Sequence, residues 1–177
     1  IREAVAKNLT ERFGKVIRPA NLFFTCGAAP ALMTALTALA CEDSEVIAIA
    51  PFFPEYKPFI ESSGNKFVMV PADTTSFQID MAALESLVNE HTQAIIVNSP
   101  NNPSGVVFSQ ETLEKVGAIL GAAAEKYGHP IYIIADEPYR ELVYDGVEVP
   151  FIPNVYKDTI VCYSWSKSLS LPGERIG

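Results

Sequence analysis

Cysteine, histidine and basic residues are scarce in this chain of 177 residues, and each shortage excludes a class of protein. The three cysteines form no C-x-x-C pair and are odd in number, so no disulfide framework is expected and a reducing cytoplasm is favoured. The two histidines lie far apart among polar residues, and no metal site is predicted. The net charge of −8, without any basic run, argues against nucleic acid and anionic membranes as partners.

Long apolar runs are also absent, so no segment is predicted to span a membrane. The amino end has the spacing of an amphipathic helix and lacks the pattern of a signal peptide. Apolar residues still make up 49% of the chain, enough for one globular domain with a sizeable core. The chain begins at Ile1 and stops at Gly177 within a motif, so we expect a piece of a longer protein.

Short apolar segments alternate with helical patterns along the chain. Strands are predicted at 22–25, 46–50, 66–70, 94–97, 131–135 and 159–163. Helices are predicted at 1–13, 30–40, 54–61, 81–87 and 110–127, with Asp80 and Ser109 as caps of the last two. Wholly apolar strands that alternate with helices indicate an α/β fold, in which helices cover both faces of a mostly parallel sheet.

Lys167 is the most informative residue of the chain. It follows the predicted strand 159–163 and lies among hydroxyl-bearing and small residues, at the carboxyl end of a strand where open α/β sheets bind ligands. Arg175 lies eight residues further on, and its guanidinium suits a phosphate group. An amine close to an anion site suggests Schiff-base chemistry on a phosphorylated aldehyde cofactor.

Three other loops add polar or aromatic groups after predicted strands. Asp136 follows strand 131–135 directly, and Asn102 lies in a stiff, proline-rich turn after strand 94–97. Small residues at 26–29 precede a helix and leave backbone N–H groups free to approach an anion. Phe53 is suited to stacking on a planar ring. Each feature alone also fits an ordinary helix cap, loop or core residue.

Together the motifs Asn-Asn-Pro-Ser-Gly, Ala-Asp-Glu-Pro-Tyr and Ser-Trp-Ser-Lys with Pro-Gly-Glu-Arg-Ile-Gly, in this order, resemble those of the class I/II aminotransferases. These are pyridoxal-phosphate enzymes of fold type I, the aspartate aminotransferase superfamily. The resemblance implies a three-layer α/β/α large domain that binds pyridoxal 5′-phosphate. Residues 1–177 would form part of it, truncated before its antiparallel strand, and the small carboxyl-terminal domain would be absent.

The resemblance also implies roles for five residues around the cofactor ring. Lys167 would hold the cofactor as a Schiff base and act as the general base. Asp136 would pair with the pyridine nitrogen and keep it protonated. Tyr139 and Asn102 would donate hydrogen bonds to the phenolic oxygen, and Phe53 would stack on the ring.

The phosphate site implied by the resemblance has one departure from the family pattern. Ser164 and Arg175 would bind the phosphate together with the backbone at Ala28 and Ala29. Family members often carry a hydroxyl or amine side chain near position 29, where this chain has alanine. Backbone N–H groups remain available there.

The activity implied is transfer of an amino group between an amino acid and a 2-oxo acid, and the resemblance implies a homodimer. Two alternatives stay open on the residues alone. A lyase or decarboxylase can use the same scaffold, and an aminotransferase-like module can serve a regulator without catalysis. We expect the chain on its own to be inactive, and the sequence does not identify the amino acid.

Overall fold

The computed structural model describes residues 1–177 and contains one five-stranded sheet in which every neighbouring pair is parallel. The strands are β1 (Glu45–Ile49), β2 (Lys66–Val70), β3 (Thr92–Asn98), β4 (Tyr132–Asp136) and β5 (Thr159–Cys162). Their order across the sheet is β2-β1-β3-β4-β5. The chain therefore reverses its direction of winding between β1 and β3, and a crevice opens at the carboxyl ends of the strands there.

Helices cover both faces of this sheet. They are α1 (Arg2–Phe13), α2 (Ala28–Leu39), α3 (Tyr56–Ser62), α4 (Met81–Leu87), α5 (Gln110–Tyr127), α6 (Ile152–Val155) and α7 (Trp165–Ser168). A core of 17 buried residues lies on the face covered by α4, α5 and α6, and a core of 11 lies beneath α2 and α3. The predicted three-layer α/β/α fold is confirmed.

The strands alternate their side chains between the two cores, as the period of two requires. Ile47, Ile95 and Ile133 enter the larger core, whereas Ala94 and Ile96 enter the smaller one. Side chains of both sets are almost fully buried, and each such isoleucine contributes about 2 kcal/mol by leaving water. Burial on both faces explains why these strands are apolar throughout.

The predicted caps are confirmed. Asp80 accepts a hydrogen bond from the N–H of Ala83 at the start of α4, and Ser109 accepts one from Thr112 at the start of α5. The carboxylate and the hydroxyl thereby satisfy backbone donors that have no partner within the helix.

The strand predicted at 22–25 is wrong. Only Thr25 pairs, through two backbone hydrogen bonds of 2.9 Å that it exchanges with Gly177, and the Phe23 side chain is 81% exposed. A single pair of residues is too short to form a strand, so residues 22–25 are irregular although their sequence is apolar. No helix of the chain is both long and apolar enough to cross a membrane.

Candidate active site

A cavity of about 270 Å³ lies at the carboxyl ends of the strands and is bounded by the start of α2 and by α7. All nine residues predicted for the site line it: Ala28, Ala29, Phe53, Asn102, Asp136, Tyr139, Ser164, Lys167 and Arg175. The sheet topology brings these loops together because parallel strands end at one edge. Four further lining residues were not predicted: Leu32, Asn98, Pro138 and Ser166.

Asp136 is the last residue of β4 and is only 6% exposed. The Tyr56 hydroxyl donates a 2.5 Å hydrogen bond to its Oδ2 atom, whereas the buried Oδ1 atom has no hydrogen-bond partner. Burial raises the pKa of Asp136 to about 6, the neighbouring Glu137 adds to the rise, and the Tyr56 hydroxyl opposes it. Asp136 thus keeps one acceptor free at the cavity.

The turn 98–106 is held rigidly against β4. Asn98 ends β3, donates from Nδ2 to the backbone oxygen of Asp136 at 2.8 Å, and accepts from the N–H of Asn102 at 2.7 Å. The Oδ1 atom of Asn101 accepts from both the N–H and the hydroxyl of Ser104. These bonds fix Asn102 at the cavity, as the stiffness of the sequence predicts.

Lys167 lies in α7, a short helix that the sequence does not predict. Ser164 caps this helix by accepting from the N–H of Ser166 at 3.2 Å. The Nζ atom of Lys167 lies 5.9 Å from the centre of the Tyr139 ring. Burial, followed by the Asp136 charge, raises the pKa of Tyr139, and the Asn102 side chain opposes the rise, so Tyr139 remains a donor at neutral pH.

Arg175 lines the same cavity and brings a guanidinium group to it. Its guanidinium donates to the backbone oxygens of Cys26 and Pro172, both at 3.2 Å, and lies against Gly27. A Cβ atom at Gly27 would approach Nη2 of Arg175 to 2.5 Å, and the residue has a φ of +105°. The backbone conformation therefore favours glycine there, and a side chain would also displace the Arg175 guanidinium.

Two more groups in the cavity lining favour an anion. The N-terminal turn of α2 has no side-chain cap. The N–H groups of Ala28 and Ala29, two residues that line the cavity, therefore lie uncapped at the positive end of the helix dipole. The Ser166 hydroxyl is buried and has no hydrogen-bond partner. A phosphate is the kind of acceptor that donors of this type bind.

Sequence reasoning missed Tyr56, Asn98 and Ser166. Asn98 ends an apolar run, and a buried amide requires partners, which was a usable signal. Ser166 directly precedes Lys167 and was passed over as one hydroxyl among several. Tyr56 gave no signal, because an aromatic side chain in an apolar surrounding is usually a core residue.

Known proteins match this chain along its whole length. The family model described as aminotransferase class I and II matches residues 1–177. The chain is 32% identical to human kynurenine–oxoglutarate transaminase 1 and 34% identical to the aspartate aminotransferase of Thermotoga maritima. Both alignments include all of this chain but only 44% and 46% of those proteins.

Solved structures of aminotransferases also superpose on this chain. An amino transferase from Eubacterium rectale superposes with a TM-score of 0.97 at 53% identity, over 99% of this chain and 44% of that one. The Thermotoga maritima aspartate aminotransferase superposes with a TM-score of 0.90 at 36% identity, over 99% and 46%.

The fold and the cavity define a large domain of the pyridoxal-phosphate fold type I class. The chain belongs to the class I and II aminotransferases, a family that uses pyridoxal 5′-phosphate. It spans less than half the length of the relatives described above.

Proposed function

We propose that the protein containing this chain is an aminotransferase that moves an amino group between an amino acid and a 2-oxo acid. Both relatives named above are transaminases, which supports this activity over the lyase and regulator alternatives. The single observation that carries the proposal is the unpartnered, buried Oδ1 atom of Asp136, in the same cavity as Lys167.

The residues of the cavity fit pyridoxal phosphate. A buried carboxylate oxygen without a donor is costly, and a protonated ring nitrogen would supply that donor. When bound, the cofactor provides an electron-withdrawing ring that stabilises negative charge at the substrate α-carbon. Asp136 would hold the proton at the ring nitrogen, and Lys167 would supply the amine for the Schiff-base link to the aldehyde.

Lys167 would also move the substrate proton. Its Nζ amine would accept the proton from the substrate α-carbon, as the general base of the reaction. Tyr139 and Asn102 would donate to the phenolic oxygen, and Phe53 would pack on the ring face. All four side chains line the cavity, which supports these assignments.

The phosphate would lie between α2 and Arg175. Ser164, Ser166 and Arg175 would provide side-chain donors, and the N–H groups of Ala28 and Ala29 would provide backbone donors. The unpartnered Ser166 hydroxyl supports this arrangement, since it offers a side-chain donor in a site where position 29 has none.

The setting of the whole protein is part of the proposal. Residues 1–177 would be part of the cofactor-binding large domain, and a smaller domain elsewhere in the protein would complete the substrate site. We infer a homodimer from the family resemblance. We infer a cytoplasmic location from the three cysteines, which are all unpaired.

The activity is tested on the full-length protein loaded with cofactor. A panel of amino acids is supplied with a 2-oxo acid acceptor, and new amino acid, ammonia and CO₂ are measured separately. We expect amino transfer, abolished by Lys167→Ala and retained by Lys157→Ala, which removes an exposed lysine outside the cavity. Release of ammonia or CO₂ without amino transfer would instead assign a lyase or a decarboxylase.

A further inference from the structure

Tyr56 is held rigidly beneath the cavity. It is the first residue of α3 and is 2% exposed. The Phe53 ring packs edge-on against it with centroids 5.7 Å apart, and the Phe52 ring lies nearly parallel at 6.5 Å. The Tyr56 ring therefore has little freedom to turn its hydroxyl away from the 2.5 Å bond to Asp136.

This bond occupies one oxygen of the Asp136 carboxylate and leaves the other without a partner. Oδ2 is occupied by Tyr56, so the unpartnered Oδ1 is the oxygen left for a donor in the cavity. Tyr56 itself does not line the cavity. Any effect that it has on a bound cofactor must pass through Asp136.

The surroundings of Asp136 otherwise favour its neutral form. Glu137, Tyr139 and Cys162 interact with it besides Tyr56, and none of them is a cation. Lys167 and Arg175 are the cations that line the same cavity, and neither donates a hydrogen bond to the carboxylate. The nearby Arg140 is engaged by Glu137. The Tyr56 hydroxyl is the one side-chain donor to the carboxylate, and it favours the ionised form.

We propose that Tyr56 is a positioning residue that keeps Asp136 ionised with Oδ1 directed into the cavity, and that it thereby selects a cofactor with a protonated ring nitrogen. The selectivity rests on the proposed function, because it requires pyridoxal phosphate in this cavity. The effect of Tyr56 on the ionisation of Asp136 does not require the cofactor. The cofactor selectivity and the effect on Asp136 ionisation can therefore be tested separately.

The selectivity is tested by binding two cofactors to the full-length protein. One is pyridoxal phosphate, and the other is its 1-deaza analogue, in which C–H replaces the ring nitrogen. We expect Tyr56→Phe to weaken pyridoxal phosphate roughly tenfold, the loss of one charge-assisted hydrogen bond, without weakening the analogue. Equal weakening of both would make Tyr56 merely structural and would overturn the proposal.

Tyr156→Phe is the matched control. Tyr156 is also buried, and its hydroxyl donates to a backbone oxygen, that of Ile131, at 2.9 Å in the other core. Removal of the Tyr156 hydroxyl should leave the affinity for both cofactors unchanged. If the wild-type protein binds no pyridoxal phosphate, the proposed function fails, and the ionisation measurement below still decides the role of Tyr56.

That measurement follows the Asp136 carboxyl by ¹³C NMR during a pH titration of the cofactor-free protein, with Asp136→Asn to assign the signal. Tyr56→Phe should raise the titration midpoint. Replacement of Tyr56 by 3-fluorotyrosine, a stronger donor of nearly the same shape, should lower it, and this variant retains the fold if Tyr56→Phe does not. An unchanged midpoint in both variants contradicts the proposal.

Discussion

Arg140 and Glu137 form a buried ion pair directly beside the candidate active site. The guanidinium donates to both carboxylate oxygens, at 2.6 and 2.5 Å, and the two side chains are almost fully buried. Arg140 also donates to the backbone oxygens of Val149 and Pro150. The charge next to Asp136 is thereby compensated.

Arg140→Met should destabilise the fold by about 3–5 kcal/mol, because it leaves the buried Glu137 carboxylate without its partner. Burial already raises the pKa of Glu137, and Arg140 is the main group that opposes the rise. Urea unfolding at neutral pH measures the loss. Arg12→Met, which breaks the more exposed pair with Glu141, should cost less than about 1 kcal/mol. Equal costs would show that the buried pair has no special role.

Asp136→Asn should stabilise the cofactor-free protein by about 3 kcal/mol at pH 7. The folded-state pKa of about 6 lies above the ordinary 3.8, so the folded protein binds the proton more tightly. Stability contributed by Asp136 is therefore complete below pH 4 and falls as pH rises to about 6. Denaturant unfolding at pH 7 and pH 4 should show the gain at the higher pH alone. An equal gain in the free energy of unfolding at pH 4 would show that it does not arise from the ionisation of Asp136.

Gly27→Ala should weaken pyridoxal phosphate about tenfold, since a Cβ atom would displace the Arg175 guanidinium from its place at the cavity. Pyridoxal, which lacks the phosphate, should bind unchanged, and fluorescence titration compares the two. Gly121→Ala is the control, because its Cβ would enter open space within α5. Parallel losses for both ligands would locate the phosphate elsewhere.

Ser166→Ala should also weaken pyridoxal phosphate several-fold, up to about tenfold, and spare pyridoxal. The reason is that the buried hydroxyl has no partner in the protein and is free to donate to a ligand. Ser86→Ala, on the exposed side of α4, should alter neither affinity. A Ser166→Ala protein with unchanged affinity would remove this residue from the phosphate site.

The fold was largely predictable because its central strands are buried on both faces. Segments such as 94–97 and 131–135 read as strands in sequence, and they occupy the centre of the sheet. The segment 22–25 has the same apolar character, but a strand also needs a neighbour, and only Gly177 pairs with it. Neighbours in the sheet depend on tertiary structure, which a local pattern does not contain.

The cavity lining was predictable where one loop carries a recognisable motif, as for Lys167 and Asp136. The contact between Tyr56 and Asp136 joins residues 80 positions apart and follows only from the packing of α3 on the sheet. The α7 helix was missed for a different reason, since a single capped turn is too short to show a helical period.

The central claim is that Lys167 holds the cofactor, and reduction with borohydride tests it most directly. The full-length protein is loaded with pyridoxal phosphate, reduced so that the link to the amine becomes permanent, and digested for peptide mass mapping. We predict a phosphopyridoxyl group on Lys167 and no label in Lys167→Ala. A label on another lysine, or none in the loaded wild-type protein, would contradict the account.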